Sequence, residues 1–147
     1  MKILFLVFSW CSTVLFFPPG DIWNVLDQVA YKVYFDKKLD DVVLVPIPSK
    51  STKNLESQSS ITIEGFKTTS LDKEFDHKNT IVLSRYDEQF QSCTNLLIED
   101  CIQVFQTKKY QLKAGKSYTF KGCFHLNTQN QNEFPFQLKE AQCLNCQ

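Results

Sequence analysis

Short segments in which apolar and polar residues alternate, bounded by turn residues, recur along this chain and constrain its fold more than any other feature. Such alternation is typical of strands that bury one face, and no helical pattern regularly separates one strand from the next. The pattern therefore predicts a mostly β domain of about seven strands, arranged as a two-sheet antiparallel sandwich. The segments that carry the pattern are 31–35, 42–47, 60–66, 80–86, 102–106, 109–112, 116–126 and 134–138.

The clearest local signal lies in residues 112–126. A turn ends at Gly115, and in the strand that follows, Tyr118, Phe120 and Phe124 share one face. A turn leading into a Tyr-x-Phe strand resembles the one found in immunoglobulin-like and fibronectin-like sandwiches, and in small secreted lipid-recognition sandwiches. The resemblance implies an immunoglobulin-like or fibronectin-like architecture.

Two segments depart from the strand pattern. Residues 21–30 place apolar side chains at near-helical spacing behind Asp21, a candidate N-cap, and predict a short N-terminal helix. The same residues could instead lead into the first strand. Residues 48–60 are polar and rich in Ser and Lys, which predicts a long mobile loop. Pro46 cannot donate a ladder hydrogen bond, so its strand should end there or lie at a sheet edge.

The first 20 residues have the layout of a secretory signal. Lys2 precedes an apolar run that ends at Phe17, and a Pro-Pro-Gly sequence follows. The run is about 15 residues long, whereas a membrane span needs roughly 20. Small residues are poorly placed for cleavage, so an uncleaved signal-anchor is the alternative. We expect 1–20 to be a signal peptide or signal-anchor and 21–147 to be a single disulfide-braced domain. The protein is then secreted, displayed on the extracellular surface, or anchored in the membrane.

The cysteines predict a disulfide framework in the second half of the chain. One of the six lies within the first 20 residues, and the other five lie from Cys93 onward. In an oxidising compartment such cysteines pair. The preferred pairs are Cys93–Cys101, which closes a short loop, and Cys123–Cys143, which ties the last two strands. Cys146 then remains as a free thiol or joins a second chain, which makes a disulfide-linked dimer a testable hypothesis.

The sequence supports a metal site, a redox pair or a catalytic site less well than it supports disulfides. The Cys143-x-x-Cys146 spacing also suits a redox pair or half of a zinc site, but a secretory setting favours disulfides. His77 lies in a charged loop, and Cys123 with His125 on one strand is a poor candidate for a catalytic dyad. The chain has no nucleophile elbow, phosphate-binding loop or metalloprotease motif. We expect no metal, no cofactor and no enzymatic activity.

The charge balance argues against nucleic acid as a partner. Acidic and basic residues number 16 each, and Arg85 is the only arginine in the chain. Proteins that bind nucleic acid usually carry excess positive charge and use the bidentate arginine fork.

The sequence therefore predicts a non-enzymatic secreted or cell-surface binding module with a protein partner. Two alternatives stay open, both of which bring contact with a membrane or lipid. One is a membrane-anchored accessory structural subunit of a larger complex. The other is a small carrier of an apolar ligand such as a lipid, held between the two sheets. The candidate residues for that apolar pocket are Phe120, Phe124, Phe134 and Phe136.

Overall fold

The computed structural model of the chain describes residues 21–68, 79–87, 98–129 and 133–146. These residues form a mostly β structure, with seven strands in two sheets of two and five strands. Two short helices and a 3₁₀ turn, Ile98–Asp100, accompany the strands. The elements are α1 (Asp21–Leu26), β1 (Tyr31–Asp36), β2 (Asp41–Pro46), α2 (Lys50–Ser57), β3 (Ile61–Lys67), β4 (Thr80–Ser84), β5 (Cys101–Gln106), β6 (Ser117–Leu126) and β7 (Phe136–Cys143).

The larger sheet closes on itself. Its strands follow the order β3-β4-β5-β7-β6, and β6 returns to pair with β3. All neighbours are antiparallel except β5 and β7, which run parallel. A closed ring with an odd number of strands cannot alternate in direction throughout, so one parallel pair is required. The predicted mostly β fold, strand number and division into two sheets are confirmed, but the larger sheet is a barrel and is not antiparallel throughout.

Alternation in β6 explains which residues fill the barrel. Every second residue of this ten-residue strand is buried, and Tyr118, Phe120 and Phe124 share the inward face as predicted. Fully buried aliphatic side chains from the other strands complete the core. They include Ile63 of β3, Leu83 of β4, Ile102 of β5 and Leu138 of β7.

β7 bends where it passes β6. The register between the two strands shifts by one residue, and Glu140 has a left-handed backbone with a φ of 50°. Gly122 lies opposite this bulge. A Cβ at Gly122 would stand 2.6 Å from the main-chain oxygen of Lys139, so the strands can approach this closely only at a glycine.

The helices cover part of the barrel. α1 matches the predicted N-terminal helix, and the Trp23 indole donates a hydrogen bond to the Glu64 main-chain oxygen at 2.7 Å. α2 replaces the loop predicted for 48–60. Ser49 caps it and forms a reciprocal capping box with Thr52, and Leu55 is buried against the core. Within the described residues, no helix is long and apolar enough to cross a membrane.

Candidate functional site

The small sheet is a hairpin formed by β1 and β2. Its ladder pairs Tyr31 with Pro46 at one end and Asp36 with Asp41 at the other. The turn has local causes: the Asp36 carboxylate accepts a hydrogen bond from the Lys38 N–H at 2.8 Å, and Asp40 takes a left-handed φ of 51°. Aspartate favours both roles because its short side chain can hydrogen-bond the nearby backbone. The turn of this hairpin therefore depends on residues that are close together in the sequence.

One side of the hairpin is apolar and exposed. Residues directly opposite in an antiparallel ladder share a face, so the pairs Val33–Leu44 and Phe35–Val42 lie together. Their exposed fractions are 61% and 51% for the first pair, and 55% and 59% for the second. Single exposed apolar side chains are ordinary, but a contiguous group marks an interaction surface. We call these four residues the hairpin face.

The hairpin joins the barrel at the end away from its turn. There Tyr31 packs partly against the barrel core and Pro46 is buried, while Val43 is buried within β2. Burial, together with the negative charges of Glu99 and Asp100, raises the pKa of the Tyr31 hydroxyl far above its ordinary value. The β1–β2 ladder extends one pair beyond this end, because the Ile47 N–H donates to the Ala30 oxygen at 2.8 Å. The hairpin face stays in solvent.

A groove of about 260 Å³ runs beside β2. All six residues of that strand line it, so the groove follows the strand along its length. The opposite wall includes Asn127 and Pro135, joined by a hydrogen bond from the Asn127 N–H to the Pro135 oxygen at 2.8 Å. A second bond, from the Asn127 side chain to the Phe134 oxygen at 3.3 Å, also braces this wall.

The groove is acidic. Asp41, Glu99 and Glu133 are among its lining residues, and the described lining includes no lysine, arginine or histidine. The Glu133 carboxylate accepts a hydrogen bond from the Gln137 side chain at 2.9 Å, which positions it at the wall. This concentration of negative charge favours a positively charged group in the groove.

The cysteines pair differently from the prediction. Cys143 is bonded to Cys146, with a Cα–Cα distance of 5.6 Å, while Cys123 keeps a free thiol that lies 3.3 Å from the Ser59 oxygen. The β6–β7 register explains why the predicted Cys123–Cys143 bridge does not form. Cys143 stands opposite Phe120, three positions along the ladder from Cys123. That separation is roughly 10 Å, beyond the approximately 7 Å reach of a disulfide.

The other predicted cysteine roles also change. Cys93 lies outside the described residues, and its predicted partner Cys101 is a buried free thiol. Burial, aided by the charge of Asp100, raises the pKa of the Cys101 thiol to about 12 against an opposing hydrogen bond with Ser84. Cys146, predicted to be left over, is already bonded within the chain.

The four phenylalanines proposed to line a pocket occupy two different places. Phe120, Phe124 and Phe136 belong to the main core, where the last two rings are 6.5 Å apart. Phe134 packs with Val82 and Cys101 in a separate cluster. None of the four lines the groove beside β2. The structure therefore brings three of them together as core residues and does not form the four-residue pocket.

Cys123 and His125, the poor dyad candidate from the sequence, share the outward face of β6. His125 lies 3.6 Å from the Glu56 carboxylate, which also accepts the Leu126 N–H at 2.9 Å. The Cys123 thiol instead donates to a main-chain oxygen of the α2–β3 connection. Among the described residues no group of three or more side chains could hold a metal ion.

The comparisons with known proteins give no assignment. No protein-family model matches the chain, and no curated protein or solved structure is significantly similar to it. Function is therefore argued from the geometry of the hairpin face and the groove. The sequence analysis predicted neither the hairpin face nor the groove. The one signal was Pro46, which indicates that its strand ends there or lies at a sheet edge.

Proposed function

We propose that this protein is a non-enzymatic interaction module that binds a protein partner through its β1–β2 hairpin. The hairpin face is the observation that supports this most strongly. Four apolar side chains, each more than half exposed, stand side by side on one surface. Interfaces commonly have such an apolar centre surrounded by polar residues, and Lys32, Asp36 and Asp41 supply polar neighbours on the same two strands.

The expected strength of this contact follows from the area that remains to be covered. Fully burying a Val, Leu or Phe side chain contributes about 1.5–3 kcal/mol. Each member of the hairpin face is about half exposed, so it would add roughly 1 kcal/mol, or roughly 4 kcal/mol for the four. Association itself costs about 4–15 kcal/mol in lost freedom of motion. The hairpin face alone therefore supports only a weak complex, and further contacts must come from its surroundings.

The setting we propose is extracellular or at the cell surface. The Cys143–Cys146 bond supports it, because disulfides persist in oxidising compartments. The secretory signal predicted at 1–20 lies outside the described residues, and a membrane-anchored subunit would differ only in keeping that segment. Intact mass of the natural protein distinguishes the two, since the whole chain of 147 residues has a mass of 17.1 kDa and removal of 1–20 would lower it by roughly one seventh.

The apolar-carrier alternative has weaker support. Its candidate residues Phe120, Phe124 and Phe136 are packed against one another and against aliphatic side chains in the core. A carrier would need those side chains to line an open cavity. The exposed apolar surface lies instead on the hairpin.

A photo-crosslinking experiment tests the proposal. A photoreactive amino acid would replace Phe35 on the hairpin face, and a matched chain would carry it at Lys121, an exposed position on the barrel. Both would be produced in the natural host cells and irradiated. We expect a discrete protein adduct from position 35 that is absent from position 121 and is lost when Val42 is also changed to Ser. Equal labelling from both positions, or no adduct from position 35, would overturn the proposal.

A further inference from the structure

We infer that the groove beside β2 receives an extended polypeptide segment, which adds to the hairpin as a third strand and places a lysine or arginine side chain among the groove carboxylates. This inference rests on the proposed function and gives the chemical class of its partner. It depends on the open edge of β2, on the shape of the groove and on its charge.

The ladder geometry shows which main-chain groups of β2 face the groove. The bond from the Ile47 N–H to the Ala30 oxygen fixes the alternation of the β1–β2 ladder. Hydrogen-bonded and non-hydrogen-bonded pairs alternate along an antiparallel pair, so every second residue of β2 points its N–H and oxygen away from β1. The residues with outward main-chain groups are Val42, Leu44 and Pro46.

Leu44 is the central residue of this open edge. The Val42 N–H already donates to the carboxylate of its neighbour Asp41 at 2.7 Å, and Pro46 has no N–H. Leu44 therefore offers both a donor and an acceptor, flanked by the outward oxygens of Val42 and Pro46. Within the described residues β2 pairs only with β1, so this edge has no strand beside it. Extended peptides commonly bind by adding to such an edge.

The groove is small and follows one strand. Its volume of about 260 Å³ is below the roughly 300–1,000 Å³ of typical small-molecule sites. Its long axis follows β2, since all six residues of the strand contribute to the lining. A peptide that pairs with the edge would run along this axis and place alternate side chains in the groove.

The negative charge of the groove favours a peptide with a positively charged side chain. Asp41, Glu99 and Glu133 line the groove, and the described lining has no basic residue to neutralise them. Apolar residues of β2 such as Val43 and Val45 offer contacts for an aliphatic stem. Lysine and arginine combine such a stem with a charged end. The same carboxylates disfavour nucleic acid, whose phosphates they would repel.

A peptide-binding experiment with main-chain variants tests this inference. The probe is a fluorescein-labelled hexapeptide, Val-Thr-Lys-Val-Thr-Val, and its matched partner has Glu in place of Lys. Fluorescence anisotropy would be measured on the full chain with its disulfide intact. We expect the Lys peptide to bind at least about tenfold more tightly than the Glu peptide, and to weaken as salt increases.

Two variants at Leu44 test the open edge. Leu44→Pro removes the outward N–H on the groove side, whereas Leu44→Ala removes the same side chain and keeps that N–H. We expect Leu44→Pro to weaken binding of the Lys peptide by about tenfold or more relative to Leu44→Ala. Glu133→Gln removes a groove charge and keeps a side-chain oxygen that can accept the Gln137 hydrogen bond. It should weaken binding of the Lys peptide without relying on a proline variant that folds.

The outcomes separate this inference from the proposed function. If Lys and Glu peptides bind alike, or if Leu44→Ala weakens binding as much as Leu44→Pro, the groove inference is wrong. If neither peptide binds while position 35 still gives its protein adduct, the proposed function stands and the groove inference falls. A concentration-dependent dimer that excludes the peptide would identify a second copy as the occupant and would also overturn it.

Discussion

In the barrel every strand has two hydrogen-bonded neighbours, whereas each strand of the β1–β2 hairpin has one among the described residues. The barrel turns its large apolar side chains inward, and Phe120 is fully buried. The hairpin has the same alternation, yet Phe35 on its apolar face is 55% exposed. Similar alternating strands therefore bury their apolar face in the barrel and expose it on the hairpin.

This difference indicates that the barrel stabilises the fold, whereas the hairpin is suited to bind a partner. Closure removes the free edges of the barrel and lets its core stabilise the fold without a partner. An isolated two-stranded hairpin is marginal in water, and this one is joined to the barrel core through Tyr31. Its outer edges, which are unpaired among the described residues, and its exposed face are then available for a partner.

The largest expected difference is between two phenylalanines. Phe120→Ala removes a fully buried ring from the barrel and should lower the free energy of unfolding by about 3–5 kcal/mol. Phe35→Ala removes a half-exposed ring from the hairpin and should change it by about 0.5 kcal/mol or less. Urea unfolding followed by circular dichroism measures both. A similar loss from the two variants would mean that the hairpin face is buried in the folded protein.

A smaller loss is expected where two barrel strands meet most closely. Gly122→Ala places a methyl group 2.6 Å from the Lys139 oxygen and 3.0 Å from a Leu138 side-chain carbon. Such overpacking should cost about 1–3 kcal/mol, because the β7 bulge must move. Lys121→Ala, on the exposed side of the same strand, is the control for a change in β6. Unchanged stability of Gly122→Ala would contradict the close approach.

The smallest expected change comes from mildly alkaline pH. The folded protein holds the pKa of the Cys101 thiol at about 12, so the folded state keeps a proton that the unfolded chain loses near its ordinary value. Stability should therefore fall as pH rises from about 8.5, by about 0.5 kcal/mol at pH 9, and continue to fall until the folded pKa is passed. The hairpin has no cysteine, and its Tyr31 hydroxyl, whose pKa is also raised by burial, adds to the loss only above about pH 10.

Unfolding midpoints at pH 7 and pH 9, compared with those of Cys101→Ala, measure this effect. The variant should lose the part of the pH dependence that comes from this thiol. An identical pH dependence in the two proteins would show that Cys101 ionises as readily in the folded state as in the unfolded chain.

Much of the local structure could be predicted from the sequence, because it depends on short-range patterns. Alternation identified β6 and its inward face, near-helical spacing identified α1, and Pro46 ends a strand at a sheet edge as expected. Prediction was wrong at α2. Its residues are mostly polar and were interpreted as a loop, but Ser49 caps a helix there, and that helix is stabilised by burying Leu55 against the barrel core. It was also wrong at 109–112, which connects β5 to β6 without forming a strand.

The candidate site was less accessible to sequence reasoning. The hairpin segments were predicted, but the exposure of Val33, Phe35 and their partners depends on where the hairpin attaches. The groove joins β2 to residues that are far away in sequence, such as Glu99 and Glu133. Nothing in their spacing predicts that proximity.

The sequence by itself determined the β-rich character, the strand faces and the turn of the hairpin, since these follow from neighbouring residues. The tertiary structure alone decided that five strands close into a barrel with β5 parallel to β7, because closure depends on which distant strands pair. It also decided the partner of Cys143, because the β6–β7 register separates that residue from Cys123. For the same reason, only the tertiary structure shows that, among the described residues, β2 has one unpaired edge and lines an acidic groove.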